Sequence, residues 1–182
     1  MNHQNKFSLL VTTGDSDGIG FEVSAKALIR LPRSFFKTTD VFLFVTPSFE
    51  RKYFIQLKTR FSIVSIKMSS SDFSLATVRP SEKKNALSKS EKPILYFIVC
   101  ADAPPSWIYK LSHLCLNNTK SVALVTGPLS KTLIKDSGYS AVGHTDILAE
   151  VSGAKDLFMG FVGKHFNVVL LTGHIPLKAV SL

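Results

Sequence analysis

Six runs of apolar, β-branched and aromatic residues constrain this chain more than any other feature: FSLLVTT at 7–13, DVFLFVT at 40–46, FSIVSIKM at 61–68, PILYFIVC at 93–100, SVALVT at 121–126 and NVVLLT at 167–172. Several are nearly continuous rather than alternating, as in strands covered on both faces, and that favours a largely parallel sheet. Helical patterns lie between some of them. Val23, Ala27, Leu28 and Leu31 recur at helical spacing, and Pro32 ends the segment. In GPLSKTLIKDSG, Pro128 stands near a first turn, Leu129, Leu133 and Ile134 share a face, and Gly138 is placed as a C-terminal cap. Strand and helix alternate, so the expected class is α/β, a mostly parallel sheet with flanking helices.

A chain of 182 residues with 45% hydrophobic and 19% charged residues is globular in composition and can bury roughly 70% of the surface its unfolded form exposes. The longest nearly unbroken apolar run, 94–101, falls well below the roughly 18 residues of a membrane span, and MNHQNKFSLLV has too short an apolar stretch for a signal peptide. The expectation is a cytoplasmic protein without a membrane partner. Cys100 and Cys115 lack metal-ligand spacing and read as buried thiols outside any disulfide framework. The formal charge of +9 admits nucleic acid, an acidic membrane surface or a small anionic substrate. Its basic residues are scattered, with RPSEKK and SKSEKP as the only local clusters, so nucleic-acid binding has no support. Residues 67–92 hold seven serines and five lysines among few apolar positions and are expected to form a surface excursion.

Three strands are expected to end alike, in VTTG, LVTGP and LLTGH. Open α/β sheets bind ligands beyond the carboxyl ends of their strands, where these Thr-Gly endings could meet; alternatively, each glycine only permits a sharp exit turn. The first ending opens TTGDSDGIGFE at 12–22, a glycine-rich turn into a helix. Backbone amides there, with Gly14, Asp15, Gly18 and Gly20, form a candidate anion loop. The spacing is not G-x-G-x-x-G, and Asp15 and Asp17 would repel a phosphate set against them, so the alternative is that one of them caps the helix. The second ending opens 126–146, which brings Lys131, His144 and Thr145 toward one rim: a cation for an anion, and two side chains with directional hydrogen bonds for a polar substrate. The third delivers His174 after a buried-looking strand; a single imidazole is not a metal site, and His3, His113 and His165 show no ligand spacing to it.

Together and in this order, TTGDSDGIGFE, VALVTGPLSKTLIKDSGYSAVGHTD and VVLLTGHIPLKAV resemble the first half of the 4-hydroxythreonine-4-phosphate dehydrogenase family of vitamin B6 biosynthesis. The resemblance is dense at the start and over most of 121–180, and thin between 50 and 110. It implies an NAD-dependent oxidation of a phosphorylated hydroxy-amino acid followed by loss of its carboxyl group as carbon dioxide. It further implies a homodimer and a divalent metal (zinc, magnesium or cobalt) acting as a Lewis acid on the substrate hydroxyl oxygen. His144 and Thr145 match the family's substrate-contacting pair, and His174 its first metal-ligand histidine. No cofactor-binding residue is assigned.

The departures matter as much. Where the family commonly reads Asp-Pro-Ala-Gly-Ile-Gly-Pro-Glu, this chain has DSDGIGFE, with Ser16, Asp17 and Phe21 in place of the two prolines and the alanine, and Ser130 replaces a frequent histidine. Family members run to nearly twice this length, and their second half supplies two further metal histidines, basic and amide substrate contacts and most of the NAD surface. Residues 1–182 are therefore expected to be the N-terminal portion of a two-domain dehydrogenase, inactive alone. They would be completed by a separate C-terminal fragment or, as an alternative function, would bind a small phosphorylated anion without catalysis.

Overall fold

The computed structural model describes residues 6–68, 92–118, 121–172 and 175–180. Five of the six apolar runs form one parallel sheet: β1 (Phe7–Thr12), β2 (Thr39–Val45), β3 (Ser62–Met68), β4 (Ile94–Cys100) and β5 (Val122–Thr126), in the order β3-β4-β2-β1-β5. The continuity of the runs has a direct cause. In β2 every residue is buried, with Val41, Leu43 and Val45 facing one layer and Phe42 and Phe44 the other. A strand covered on both faces has no position left for a solvent-facing polar residue.

One layer is built from α1 (Gly20–Arg30), the single turn α2 (Phe35–Thr38) and α3 (Arg51–Arg60). Phe21, Ala25 and Leu28 of α1, Phe36 of α2, and Tyr53 and Leu57 of α3 close over Val11, Leu43 and Phe97. The buried stripe of α1 therefore runs through Phe21, Ala25 and Leu28, not through Val23 and Ala27 as the spacing suggests. Val23 is 53% exposed, and Ala27 is exposed too. The apolar residues of this helix suffice for two overlapping stripes, and the large ring of Phe21 decides between them. It meets Phe49, Tyr53 and Phe97 edge-on, at centroid distances of 5.8, 6.2 and 6.0 Å.

The opposite layer is α4 (Pro104–Leu116), which starts with two prolines where no intrahelical amide is missed and buries Trp107 and Leu111 against Phe42, Tyr96 and Val122. The Trp107 indole N–H donates to the Asp102 carbonyl at 3.0 Å, and Lys110 pairs with the Asp102 carboxylate at 3.0 Å, fixing the entry of the helix. Beyond α4 lie α5 (Lys131–Asp136) and α6 (His144–Ser152), joined to it through Ile108, Ile134 and Ile147. Helix α5 ends as expected at Gly138. With φ of +83°, Gly138 donates to the Lys135 carbonyl and the following Tyr139 to the Ile134 carbonyl, a Schellman termination.

The sixth run behaves differently. Residues 167–172 do not enter the sheet: β7 (Asn167–Val169) pairs antiparallel with β6 (Gly160–Val162) in a separate two-stranded ribbon, and all six ribbon residues are exposed. The run is apolar enough for a core strand, but no layer of the described residues covers it. The serine-rich stretch lies almost wholly in 69–91, outside the described residues; its flanks, Met68 and Lys92, belong to the β3–β4 side of the sheet. Among the described residues no helix is long and apolar enough to cross a membrane. Cys100 and Cys115 are both free, Cys100 buried and Cys115 partly so.

Candidate functional site at the carboxyl ends of β1 and β5

Neighbouring strands whose following helices pack on opposite faces of a sheet leave a crevice at their carboxyl ends. β1 and β5 are such a pair. β1 leads into α1 on one face, β5 leads into α5 on the side of α4, and Thr12 stands opposite Thr126 in the register. Two of the three Thr-Gly endings thus meet side by side. The third ending follows a separate two-stranded ribbon rather than this sheet, and Gly173 and His174 lie outside the described residues.

The two exit loops interlock through their backbones. Gly127 N–H donates to the Thr12 carbonyl at 2.7 Å, and Asp15 N–H to the Pro128 carbonyl at 3.1 Å. Thr13 is tied to the next strand, its N–H and Oγ1 both donating to the Phe44 carbonyl at 3.1 and 3.0 Å. The glycines are what permit this approach. A Cβ at Gly14, where φ is +74°, would fall 1.7 Å from the Pro128 carbonyl oxygen, and one at Gly20 would fall 1.7 Å from that of Thr13. Gly18 closes the turn, its N–H donating to the Asp15 carbonyl at 3.2 Å.

Asp15 reaches across this seam. Its carboxylate accepts from the Ser130 N–H, at 2.9 Å to Oδ2 and 3.2 Å to Oδ1, while the Ser130 hydroxyl caps α5 by accepting from the Leu133 N–H at 3.1 Å. Neither Asp15 nor Asp17 caps α1, whose N-cap position is Ile19, with no side-chain bond to the helix. The capping alternative therefore has a different form here: Asp15 serves the neighbouring loop, and the Ser130 amide, where an anion would seat, already holds a carboxylate of the chain. This cross-loop contact is the feature that reading along the sequence missed. Its partners are 115 positions apart, and only the paired Thr-Gly endings hint at it.

The other candidates sit one element further on. Lys131 is exposed as the first residue of α5. His144 and Thr145 are the first two residues of α6, after Gly143 at its N-cap. Asp146 in the same turn accepts from the Val142 N–H at 2.8 Å, bracing the entry. Thr145 is exposed, and His144 is partly buried with its Nε2 shielded from solvent and without a hydrogen-bond partner among the described residues. A buried ring nitrogen left unpaired is costly, so it is a group with capacity for a ligand. Helix α6 is held in place by Ile147 in the Ile108–Ile134 cluster and by Tyr109, whose hydroxyl donates to Glu150 at 2.6 Å and whose phenol is pushed up to about 12, chiefly by burial and then by that carboxylate. Among the described residues no three His, Cys, Asp or Glu side chains come together as a metal site requires.

Residues 100–182 match the family model described as pyridoxal phosphate biosynthetic protein PdxA. The 4-hydroxythreonine-4-phosphate dehydrogenase of Sulfurihydrogenibium sp. (strain YO3AOP1) is 31% identical over 94% of this chain and 51% of its own length; that of Wigglesworthia glossinidia brevipalpis is 28% identical over 97% and 52%. Crystal structures of 4-hydroxythreonine-4-phosphate dehydrogenases from Burkholderia phymatum and Klebsiella pneumoniae superpose with a TM-score of 0.62 each, at 20% and 19% identity, covering 94% and 95% of this chain and 51% and 53% of theirs. The chain thus spans about half the length of the curated relatives it matches. Motif order and aligned sequence agree: over about half of their length, 4-hydroxythreonine-4-phosphate dehydrogenases are similar to this chain, and their solved structures share its fold.

Proposed function

We propose that this chain supplies the substrate-holding half of an NAD-dependent dehydrogenase that oxidises and decarboxylates 4-phosphohydroxy-L-threonine on the way to pyridoxal phosphate, and that it does not complete the reaction alone. The observation that carries the reading is the alignment of nearly the whole chain with half of enzymes bearing that name. The geometry supports roles for particular residues. His144 Nε2 is an unpaired, shielded hydrogen-bonding group at the start of a helix, suited to a substrate hydroxyl or carboxylate, and the Thr145 hydroxyl beside it adds a second directional contact. A substrate carboxylate held there also gains from the partial positive charge of the helix start. Lys131, exposed at the start of α5, is the cation assigned to the phosphate. In the turn of Gly14, Asp15, Gly18 and Gly20, the glycines and Asp15 serve to lock the β1 and β5 loops, which sets the position of α5 and thereby of Lys131.

A divalent metal would act as a Lewis acid on the oxygen that becomes a carbonyl, with His174 as this chain's own ligand. Its other ligands and the NAD surface would come from the part of the relatives that this chain does not match, and the homodimer partner from a second copy. The test is NADH formation from 4-phosphohydroxy-L-threonine with NAD and a divalent metal, read at 340 nm. The chain alone should give none. Adding the polypeptide that corresponds to the remaining half of the Sulfurihydrogenibium relative should give turnover that drops by at least tenfold with His144→Ala. Turnover by the chain alone, or a complemented enzyme indifferent to His144, would overturn the reading.

A further inference from the structure

A second cavity lies at the opposite end of the sheet, where α2 enters β2 and where Lys92 and Pro93 enter β4. It measures about 460 Å³ and is lined by Arg33, Ser34, Phe36, Lys37, Lys92 and Pro93: three cations and a hydroxyl beside two apolar side chains, with no carboxylate in the lining. Arg33 and Lys37 stand four residues apart on the turn of α2, in which the Phe36 and Lys37 amides donate to the Arg33 and Ser34 carbonyls at 3.2 and 3.1 Å. Like charges at that spacing repel. Among the described residues neither Arg33 nor Lys37 has a carboxylate partner to offset the repulsion. Ser34 is the N-cap of α2, yet its hydroxyl makes no bond to the helix.

The turn that carries these groups is anchored from below. The Phe36 ring is buried and meets Phe35 and Phe61 edge-on at centroid distances of 5.3 and 5.1 Å. Lys6 Nζ donates to the Phe36 carbonyl at 2.9 Å and pairs with the buried Asp40 at 3.2 Å, so that carboxylate is turned to Lys6. On the other wall Lys92 Nζ donates to the Lys58 carbonyl at 3.2 Å. Cations gathered in one cavity against their mutual repulsion are a local conflict, and such conflicts concentrate at functional sites. A single phosphate carries about −1.5 to −2 charges at pH 7, less than the three cations present, and a diphosphate matches them better. The cavity is also of the size that holds small molecules, about 300–1,000 Å³. We propose that it binds a small molecule through a diphosphate group. The Arg33 guanidinium holds one phosphate in a fork, Lys37 and Lys92 take the remaining oxygens, and the Ser34 hydroxyl donates a neutral hydrogen bond. The seven residues of β2 put this cavity about 20 Å from the carboxyl-end rim, so the inference is independent of the proposed dehydrogenase reading.

The experiment is equilibrium dialysis of the full chain, kept dilute, against radiolabelled inorganic pyrophosphate, with ADP as competitor. The expected result is one saturable site per chain. Arg33→Gln and Lys37→Gln should each weaken it at least tenfold, Arg33→Lys should weaken it less, and Lys26→Gln, at a residue paired with Glu22 on α1, should leave it unchanged. Arg33 and Lys37 are exposed, so circular dichroism of these variants should match that of the unaltered chain. ADP that displaces the label at a concentration at least tenfold below unlabelled pyrophosphate assigns a nucleoside diphosphate, and displacement at equal concentration assigns the diphosphate alone; either upholds the site. Binding lost with Lys131→Gln but kept with Arg33→Gln places the anion at the β1–β5 rim and overturns the proposal. Several weak sites, reduced equally by Arg33→Gln, Lys37→Gln and Lys26→Gln, would reflect the net charge of +9 alone and overturn it as well. Binding that appears only after Asp72→Asn, Glu82→Gln and Glu91→Gln assigns the cavity to carboxylates of the chain itself, which also overturns it, as does no binding at all.

Discussion

Three glycines show how differently one residue type can be constrained. Gly14 and Gly138 both have positive φ, at +74° and +83°, yet a Cβ at Gly138 would meet nothing within 4 Å, whereas at Gly14 it would meet the Pro128 carbonyl oxygen at 1.7 Å. Gly138→Ala should therefore cost about 1 kcal/mol of conformational strain, and Gly14→Ala clearly more, because the β1 and β5 loops must separate. Urea midpoints of the two variants measure the difference, and equal losses would contradict the interlocked seam. Gly20, whose Cβ would fall 1.7 Å from the Thr13 carbonyl oxygen, should resemble Gly14 in severity although its φ is not positive. Cys100 offers a pH test. Burial, helped by the nearby Asp102 charge, pushes its thiol from 9.0 up to about 12. Because the folded value is the raised one, the protein keeps this stability below about pH 9 and loses it progressively as the pH rises toward 12, where the unfolded chain gives up the proton first. Cys100 should accordingly resist iodoacetamide at pH 8 in the folded chain, with the partly exposed Cys115 labelled first, as peptide mass spectrometry would record.

At the scale of elements, Phe21 is the instructive residue. It stands where the family resemblance leads one to expect proline, and in this chain its ring fills the space between α1, α3 and β4, against Phe49, Tyr53 and Phe97. Phe21→Ala should cost about 3–5 kcal/mol, as for other buried aromatic truncations. Val23→Ala, two residues on but facing water, should stay within about 0.5 kcal/mol. If denaturation ranked them the other way, the stripe inferred from spacing would be the correct one. The spacing of Val23, Ala27, Leu28 and Leu31 identifies a helix correctly because period alone decides that much. It cannot choose between overlapping apolar stripes, since the choice depends on which one finds a partner layer. The Schellman end of α5 was legible for the opposite reason: a glycine in the left-handed region closes its own helix by local hydrogen bonds and needs no distant partner.

For the whole molecule, apolar surface is unevenly distributed. Strands β2 and β4 are covered on both faces, whereas the segment after α6 exposes Val162 at 91%, Leu171 at 78% and Phe166 at 74%. Exposed apolar patches of this kind mark interaction surfaces or aggregation liabilities. The chain alone should therefore be poorly stable, bind a hydrophobic dye such as ANS in its native state and associate as its concentration rises. A monodisperse monomer with a cooperative melt and no dye binding would refute this. Of the candidate site, the first two Thr-Gly exit turns could be read from the sequence, because a strand followed by Thr-Gly announces its own exit turn; that they meet in one rim was decided by the pairing of β1 with β5. The Asp15–Ser130 contact could not, because it depends on β1 and β5 becoming neighbours.

The sequence by itself determined the α/β class, the parallel character of the sheet, the family resemblance and the ends of several elements. Each of these is written locally, in the continuity of an apolar run, in a motif or in a glycine at a helix end. Only the tertiary structure decided that β5 lies beside β1 and leaves an open edge, that Phe21 rather than Val23 enters the core, and that the run at 167–172 forms an exposed ribbon instead of a sixth strand. The physical reason is common to all three. Hydrophobicity records that a segment can be buried, but its burial depends on which other surface reaches it, and strand pairing is a contact between distant parts of the chain that no local pattern specifies.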